Sequence, residues 1–388
     1  MLPSTRALCY SSRRWSGGTA RPPPEGSRRM TRLLIVAQDG DHVVDWTIGP
    51  FRTFQAGLRV TLGATVEIVR SRGLEDLSGI LTEHPADVAF ISTTWKATPE
   101  DTAAAFAELA RSPARSRLVY LDTFDQATTP FFGVLPHVDL YLKKQVYRDY
   151  GDYRRSWVGG HRLADFESRQ RLGAAAPDPE HFGSVLPEEY DDRLWLGWNL
   201  GCAPKMINQA LTGAVRPWVP WERREVGLQF RASTVDGDHW YTTHRRRLFD
   251  ALAPLAGQPG VVRGIGTGAR VPLSQFQREL RHARVSVSPY GWGEITDRDF
   301  RSIAVGAVLV KPDMSHLRTE PDVYRAWDTY LPVRWDGSDL VERVRYVWAH
   351  PQASQEMAKA AFRAWRRWFF DGRFLRRIRE ILEHLDAP

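Results

Sequence analysis

The residues best suited to chemistry lie in one stretch, Ser288-Pro-Tyr-Gly-Trp-Gly-Glu294, running on through Thr296 to Arg298 and Asp299. Gly291 and Gly293 carry no side chain where a backbone could approach a ligand, and Thr296 with Asp299 has the spacing of a capping box that fixes a helix start. A helix N-terminus combines unpaired N–H groups with about half a positive charge, which suits a diphosphate. Arg298, in the first turn, adds a fixed cation. The plainer reading is a glycine turn followed by an exposed arginine.

Other catalytic patterns are missing. None of the six lysines sits in the Gly-Lys-Ser/Thr context of a P-loop, and no His-Glu-x-x-His, Cys-x-x-Cys or Gly-x-Ser-x-Gly occurs. Gly264, Gly266 and Gly268 resemble half a dinucleotide fingerprint, but the next helix pattern starts too late, which leaves them a turn role. Asp-x-Asp, a triplet able to hold a divalent metal, occurs at Asp39/Asp41, Asp236/Asp238 and Asp297/Asp299; turn and capping chemistry explains these. No metal and no cofactor is expected.

The elements that must position these residues follow a regular rhythm. Residues 1–29, rich in Arg, Ser, Gly and Pro, carry five of the seven net positive charges and read as a disordered leader. A nearly neutral body argues against nucleic acid as a partner. From 30 to 150, strands at Leu33–Ala37, Thr65–Val69, Asp87–Ser92, Leu118–Leu121 and Val138–Leu142 alternate with helices, one opened by Pro50 and one capped by Thr98. An irregular interdomain segment spans 151–222. Strand–helix alternation resumes over 223–350, from strand Val226–Phe230 to helix Leu340–Ala349, and 351–388 forms closing helices. Alternation of this kind predicts an α/β protein with two Rossmann-like doubly wound domains facing a central cleft.

The sequence resembles the C-terminal donor-binding domain of GT-B glycosyltransferases, especially bacterial group-1-like and spore-coat-like enzymes. The matching residues are Ser288-Pro-Tyr-Gly-Trp-Gly-Glu294, Arg298-Asp-Phe, Ala304-Val-Gly-Ala307, and Val310-Lys-Pro-Asp-Met314 followed by His316. Weaker similarity covers Tyr120-Leu-Asp-Thr-Phe-Asp125 and Tyr141-Leu-Lys-Lys-Gln145. The resemblance implies that the glycine loop and its helix hold the sugar and diphosphate of a nucleotide sugar. Many relatives carry two glutamates separated by seven residues, the second on the donor ribose; here that position is Arg301, and Glu294 is displaced by one from the first.

The expected donor contacts are therefore Gly291, Gly293, Glu294, Thr296 and Arg298, with Arg231 as a second phosphate contact after its strand. Lys311, Asp313, His316 and Tyr324 follow a later strand, where a base or ribose could be held. The catalytic base should come from the first domain, where Asp41 and His42 end the first strand. The implied reaction moves a sugar from a nucleotide sugar to the hydroxyl of a glycan, lipid-linked or small-molecule acceptor. The rivals are a nucleotide-sugar-binding protein without transfer and an Arg- and Trp-rich nucleic-acid binder. The tail from Ala361 to Leu385 sets Phe362, Trp365, Trp368, Phe369 and Phe374 beside seven arginines. A closing helix whose aromatics bury on the domains explains it with least, and a surface lying on an anionic membrane or on nucleic acid is the alternative. The expected location is the cytoplasm, with a peripheral contact at the inner membrane face left open.

Overall fold

The computed structural model describes residues 30–112, 116–155, 157–160, 162–169, 183–212, 217–234, 239–266 and 271–386. The leader, the pair Asp236/Asp238 and Gly268 lie outside the described residues.

The first half contains β1 (Thr31–Gln38), α1 (His42–Thr53), α2 (Gln55–Leu62), β2 (Ala64–Ser71), α3 (Leu77–Glu83) and β3 (Val88–Ser92). It continues through α4 (Pro99–Arg111), β4 (Arg117–Leu121), β5 (Leu140–Lys143), β6 (Gln145–Tyr147), α5 (Arg162–Arg169), β7 (Leu194–Leu196) and α6 (Pro204–Thr212). The second half contains β8 (Val226–Ala232), α7 (Trp240–Ala251), β9 (Val261–Ile265), α8 (Leu273–Arg281), β10 (Ala283–Val287), α9 (Asp297–Ala304) and β11 (Val308–Pro312). β12 (Leu317–Thr319), β13 (Leu331–Val333), α10 (Leu340–Ala349), α11 (Pro351–Phe370) and α12 (Arg373–Leu385) complete it.

Six parallel strands form the first sheet in the order β2-β1-β3-β4-β5-β7, and five form the second in the order β13-β11-β10-β8-β9. Each sheet places its first strand between its second and third. The strand order therefore reverses at β1/β3 and at β8/β10, and a crevice opens at the carboxyl ends there. Inner strands such as Val88-Ala-Phe-Ile-Ser92 are buried throughout, as helices covering both faces require.

Two local differences from the sequence expectation have clear causes. Helix α1 starts at His42, not at Pro50, because the Asp41 carboxylate accepts the Val43 N–H at 2.8 Å and caps it. Pro50 lies inside that helix, which yields at Phe54 before α2 begins. The segment 151–222 also supplies β7, which pairs with β5 at the edge of the first sheet.

Both halves are stitched together. β6 pairs antiparallel with β12, setting Tyr147 opposite Leu317. The closing helices bury Phe362, Trp365, Trp368, Phe369 and Phe374. Trp365 donates from Nε1 to the Gly201 carbonyl at 3.0 Å, and Phe374 meets Phe51 of α1 edge-on.

Candidate functional site

Helix α9 begins where the spacing of Thr296 and Asp299 places it. The Asp299 carboxylate accepts the Thr296 N–H at 3.1 Å, completing the capping box. That carboxylate is fully buried and also takes Ser288 Oγ at 2.5 Å, Tyr324 Oη at 2.8 Å and Lys311 Nζ at 3.1 Å. Burial pushes the Lys311 amine down while Asp299 holds it up, and burial with Asp299 pushes the Tyr324 phenol up. Lys311, Tyr324 and Thr296 thus converge on Asp299 and set the helix start rigidly.

The glycine loop faces the other half of the molecule. A Cβ on Gly293 would lie 2.0 Å from the Asp125 carbonyl oxygen, so the close approach that glycine permits is made by the first domain's own backbone. Glu294 is fully buried and accepts hydrogen bonds from the Ala127 N–H at 3.1 Å and from Gln145 Nε2 at 3.0 Å. Gln126 donates to the Trp292 carbonyl at 3.1 Å. The loop after β4 therefore meets the loop after β10, which turns the carboxyl edges of the two sheets toward each other.

Behind that first-domain loop, Asp122 accepts from Lys143 Nζ at 2.7 Å and from Tyr141 Oη at 2.9 Å, while Lys144 reaches Asp125. The two weakly similar first-half segments are hence in contact with each other and with the glycine loop.

At the first turn of α9, the Arg298 side chain makes no hydrogen bond or ion pair among the described residues, and its Nε is buried without a partner. Its guanidinium lies 5.9 Å from the Phe276 ring. Burial, with the Arg245 charge adding to it and the Asp297 and Asp299 charges opposing it, lowers its pKa to about 10. Arg245, on α7, donates to the Tyr290 carbonyl at 3.1 Å and the Ser233 carbonyl at 2.6 Å, and no carboxylate pairs with it among the described residues. A Cβ on Gly291 would lie 3.4 Å from Arg245 Nη2. Two guanidiniums that make no direct ion pair among the described residues thus meet the glycine loop and a helix N-terminus, an arrangement suited to a diphosphate. Arg245 was not singled out in the sequence because it sits in the run His244-Arg-Arg-Arg247, where only packing tells one arginine from the next.

Other expected contacts have protein partners of their own. Arg231 forms a two-pronged ion pair with Glu279 of α8, at 2.5 and 2.7 Å. Burial raises the Glu279 carboxyl, but the Arg231 hydrogen bonds outweigh it and hold the group below its usual range. Arg301 is nearly buried and pairs with Asp297 at 2.8 Å; it lines a cavity of about 530 Å³ beside Trp218 and His282. The Asp313 carboxylate accepts from the Ser315 N–H at 3.2 Å, and its carbonyl accepts from Tyr290 Oη at 2.7 Å. His316 packs its ring 5.2 Å from that of Trp335.

On the first domain, Asp41 is buried and bonded through both oxygens, to the Val43 N–H and to Thr94 Oγ1 at 2.6 Å. His42 is 71% exposed, with its ring 4.5 Å from Trp46. Asp39 faces Arg70 at 3.5 Å. No group of three His, Cys, Asp or Glu side chains able to hold a metal occurs among the described residues.

No protein-family model matches the chain, and no curated protein does. Solved structures do. An alpha-glucosyltransferase in complex with UDP and a 13-mer DNA containing a HMU base superposes with a TM-score of 0.52 at 10% identity, covering 92% of this chain and 100% of that one. A glycosyltransferase from Rickettsia africae ESF-5 gives 0.50 at 11% identity, covering 93% and 100%. At such identity the likeness is one of fold, and it extends over both sheets: the chain has the two-domain GT-B architecture of these glycosyltransferases.

Proposed function

We propose that this chain is a glycosyltransferase that moves a sugar from a nucleotide sugar to a hydroxyl acceptor. The observation that carries the reading is the pair Arg298 and Arg245, cations without carboxylate partners at the N-terminus of α9. A departing nucleoside diphosphate would give both guanidiniums a direct ion-pair partner. Its stabilisation by fixed donors, with the domains holding both substrates in place, would lower the barrier.

In this reading the α9 N–H groups, Arg298 and Arg245 hold the diphosphate, and Gly291 leaves room beside them. Lys311, Tyr324 and Thr296 act through Asp299 to keep the helix start in place. Glu294 and Gly293 hold the domains together. His42 is the candidate base, since its exposed ring is open to an acceptor while the Asp41 oxygens are occupied. Asp313 and His316 sit beyond β11 as candidate base or ribose contacts, and Arg231 is assigned to Glu279. The acceptor is a glycan, a lipid-linked or a small hydroxyl compound, met in the cytoplasm. No helix among the described residues is long and apolar enough to cross a membrane.

A second reading, donor binding without transfer, is favoured by one feature: Arg301 stands where many relatives have a ribose-binding glutamate, and it is engaged with Asp297. Incubation with UDP-, GDP- and ADP-sugars separates the two. Release of free nucleoside diphosphate or glycosylated product supports transfer, while tight binding with no turnover of any donor supports the second reading.

A further inference from the structure

The corner between α11 and α12 carries a feature that sugar transfer does not use. From Arg363 to Arg379 the chain has seven arginines and a single acid, Asp371. Its aromatic residues are buried except one: Phe370, at the end of α11, is 59% exposed. Arg366 lies over that ring at 4.9 Å. Arg363, Arg367, Arg373, Arg376 and Arg379 are exposed around it.

Beside the corner is a polar cavity of about 560 Å³ into whose wall Arg363, Arg367 and Arg373 project. Its acidic residues are Glu320, Asp322 and Asp328. Asp328 is already paired with Arg325 at 2.8 Å, and burial pushes the Glu320 carboxyl up despite Arg373 and Arg377 nearby. Arg363 and Arg367, one helical turn apart, have no carboxylate within ion-pair distance among the described residues. The walls thus offer guanidiniums in excess of the acids that could neutralise them.

We propose that this corner docks on an anionic phospholipid bilayer, with Phe370 entering the interface and headgroup phosphates taken by Arg363, Arg367 and Arg373. An exposed phenyl ring at the end of a helix gains from an apolar medium, while the exposed arginines of the same stretch gain from a negative surface. One face of the ring is covered by Arg366, which favours contact with acyl chains over the two-faced stacking a nucleobase makes. The proposal does not rest on the transfer reading.

The test is co-sedimentation of the full chain with phosphatidylcholine vesicles, with and without phosphatidylglycerol. The expected result is binding only to vesicles containing phosphatidylglycerol, weakened by added salt. The double variant Arg367→Glu with Arg373→Glu should lower partitioning about thirtyfold or more, which corresponds to about 1 kcal/mol for each arginine lost from the vesicle surface. Phe370→Ala should weaken it several-fold without removing its salt dependence. Leu273→Ala, at an exposed apolar residue of α8, serves as the control and should bind like the parent; thermal midpoints verify that all variants fold. Equal binding to both vesicle types, or indifference to the arginine and Phe370 variants, would overturn the proposal. So would arginine-dependent binding of duplex DNA, or of inorganic phosphate, with no binding to either vesicle.

Discussion

Glu294 and Gln145, separated by 149 positions, meet at 3.0 Å across the two domains, and the same carboxylate accepts the Ala127 N–H. A fully buried carboxylate so placed is a fastener, because its removal leaves buried donors unpaired on the opposite side. Beside it, Gly293 sits where a methyl group would strike the Asp125 carbonyl.

Glu294→Ala is expected to lower stability by about 2 kcal/mol or more, and Gly293→Ala by about 1 to 3 kcal/mol through overpacking at the seam. Denaturant unfolding measures both. Parent-like midpoints would show that the loops do not meet in solution as they do in the structure.

Arg231→Ala should reduce stability by about 1 to 3 kcal/mol, since it leaves the part-buried Glu279 without its ion pair, with the Gln275 hydrogen bond at 2.9 Å remaining. Nucleotide affinity should stay as it was. A tenfold loss of nucleotide binding with unchanged stability would restore Arg231 to the phosphate site.

Arg301→Glu replaces an ion pair with two carboxylates one turn apart on α9, Asp297 and the new residue. The expected outcome is a lower thermal midpoint with donor affinity changed by less than about threefold. Tighter donor binding would instead return the position to the ribose-binding role that the resemblance implies.

The contact between α5 and α7 sets an acid limit on stability. Buried His244 shares Glu167 with Arg247, its Nδ1 lying 3.3 Å from the carboxylate. Burial outweighs the pull of Glu167 and lowers the His244 pKa from its ordinary 6.5. Burial raises the Glu167 carboxyl, but its hydrogen bonds to His244 and Arg247 outweigh that and hold it below its ordinary value. A histidine depressed in the folded state contributes fully above its unfolded pKa, and the contribution is lost as pH falls toward the folded value. Stability should therefore decline as pH drops below about 6.5, with the Glu167 contribution lost at lower pH. His244→Gln should flatten the first decline. A curve of unchanged shape in that variant would assign the acid sensitivity to other groups.

Much of the fold was legible because the rhythm of buried strands and amphipathic helices leaves its mark locally. Thr296 and Asp299 gave the start of α9 to the residue, and Thr98 with Pro99 gave the start of α4. Contacts across the chain leave no such mark. Nothing local tells Arg231, held by Glu279, from Arg298, which has no such partner, or shows that Gly293 approaches a backbone in place of a ligand. The start of α1 at His42 was hidden because Asp-Gly-Asp reads as a turn, whereas Asp41 uses that turn to cap the helix. Arg245 lacked any signal, since its place beside Gly291 depends on which side of α7 faces the glycine loop.

Calorimetric titration with UDP, GDP and ADP tests the central claim most directly, using the parent chain, Arg298→Ala and Arg245→Ala. Charge-assisted hydrogen bonds to a diphosphate are worth about 1.5 to 3 kcal/mol each, so either variant should bind its nucleotide roughly tenfold or more weakly. Binding of none of the three nucleotides by the parent, or parent-like affinity in both variants, would contradict the assignment of the diphosphate to the N-terminus of α9.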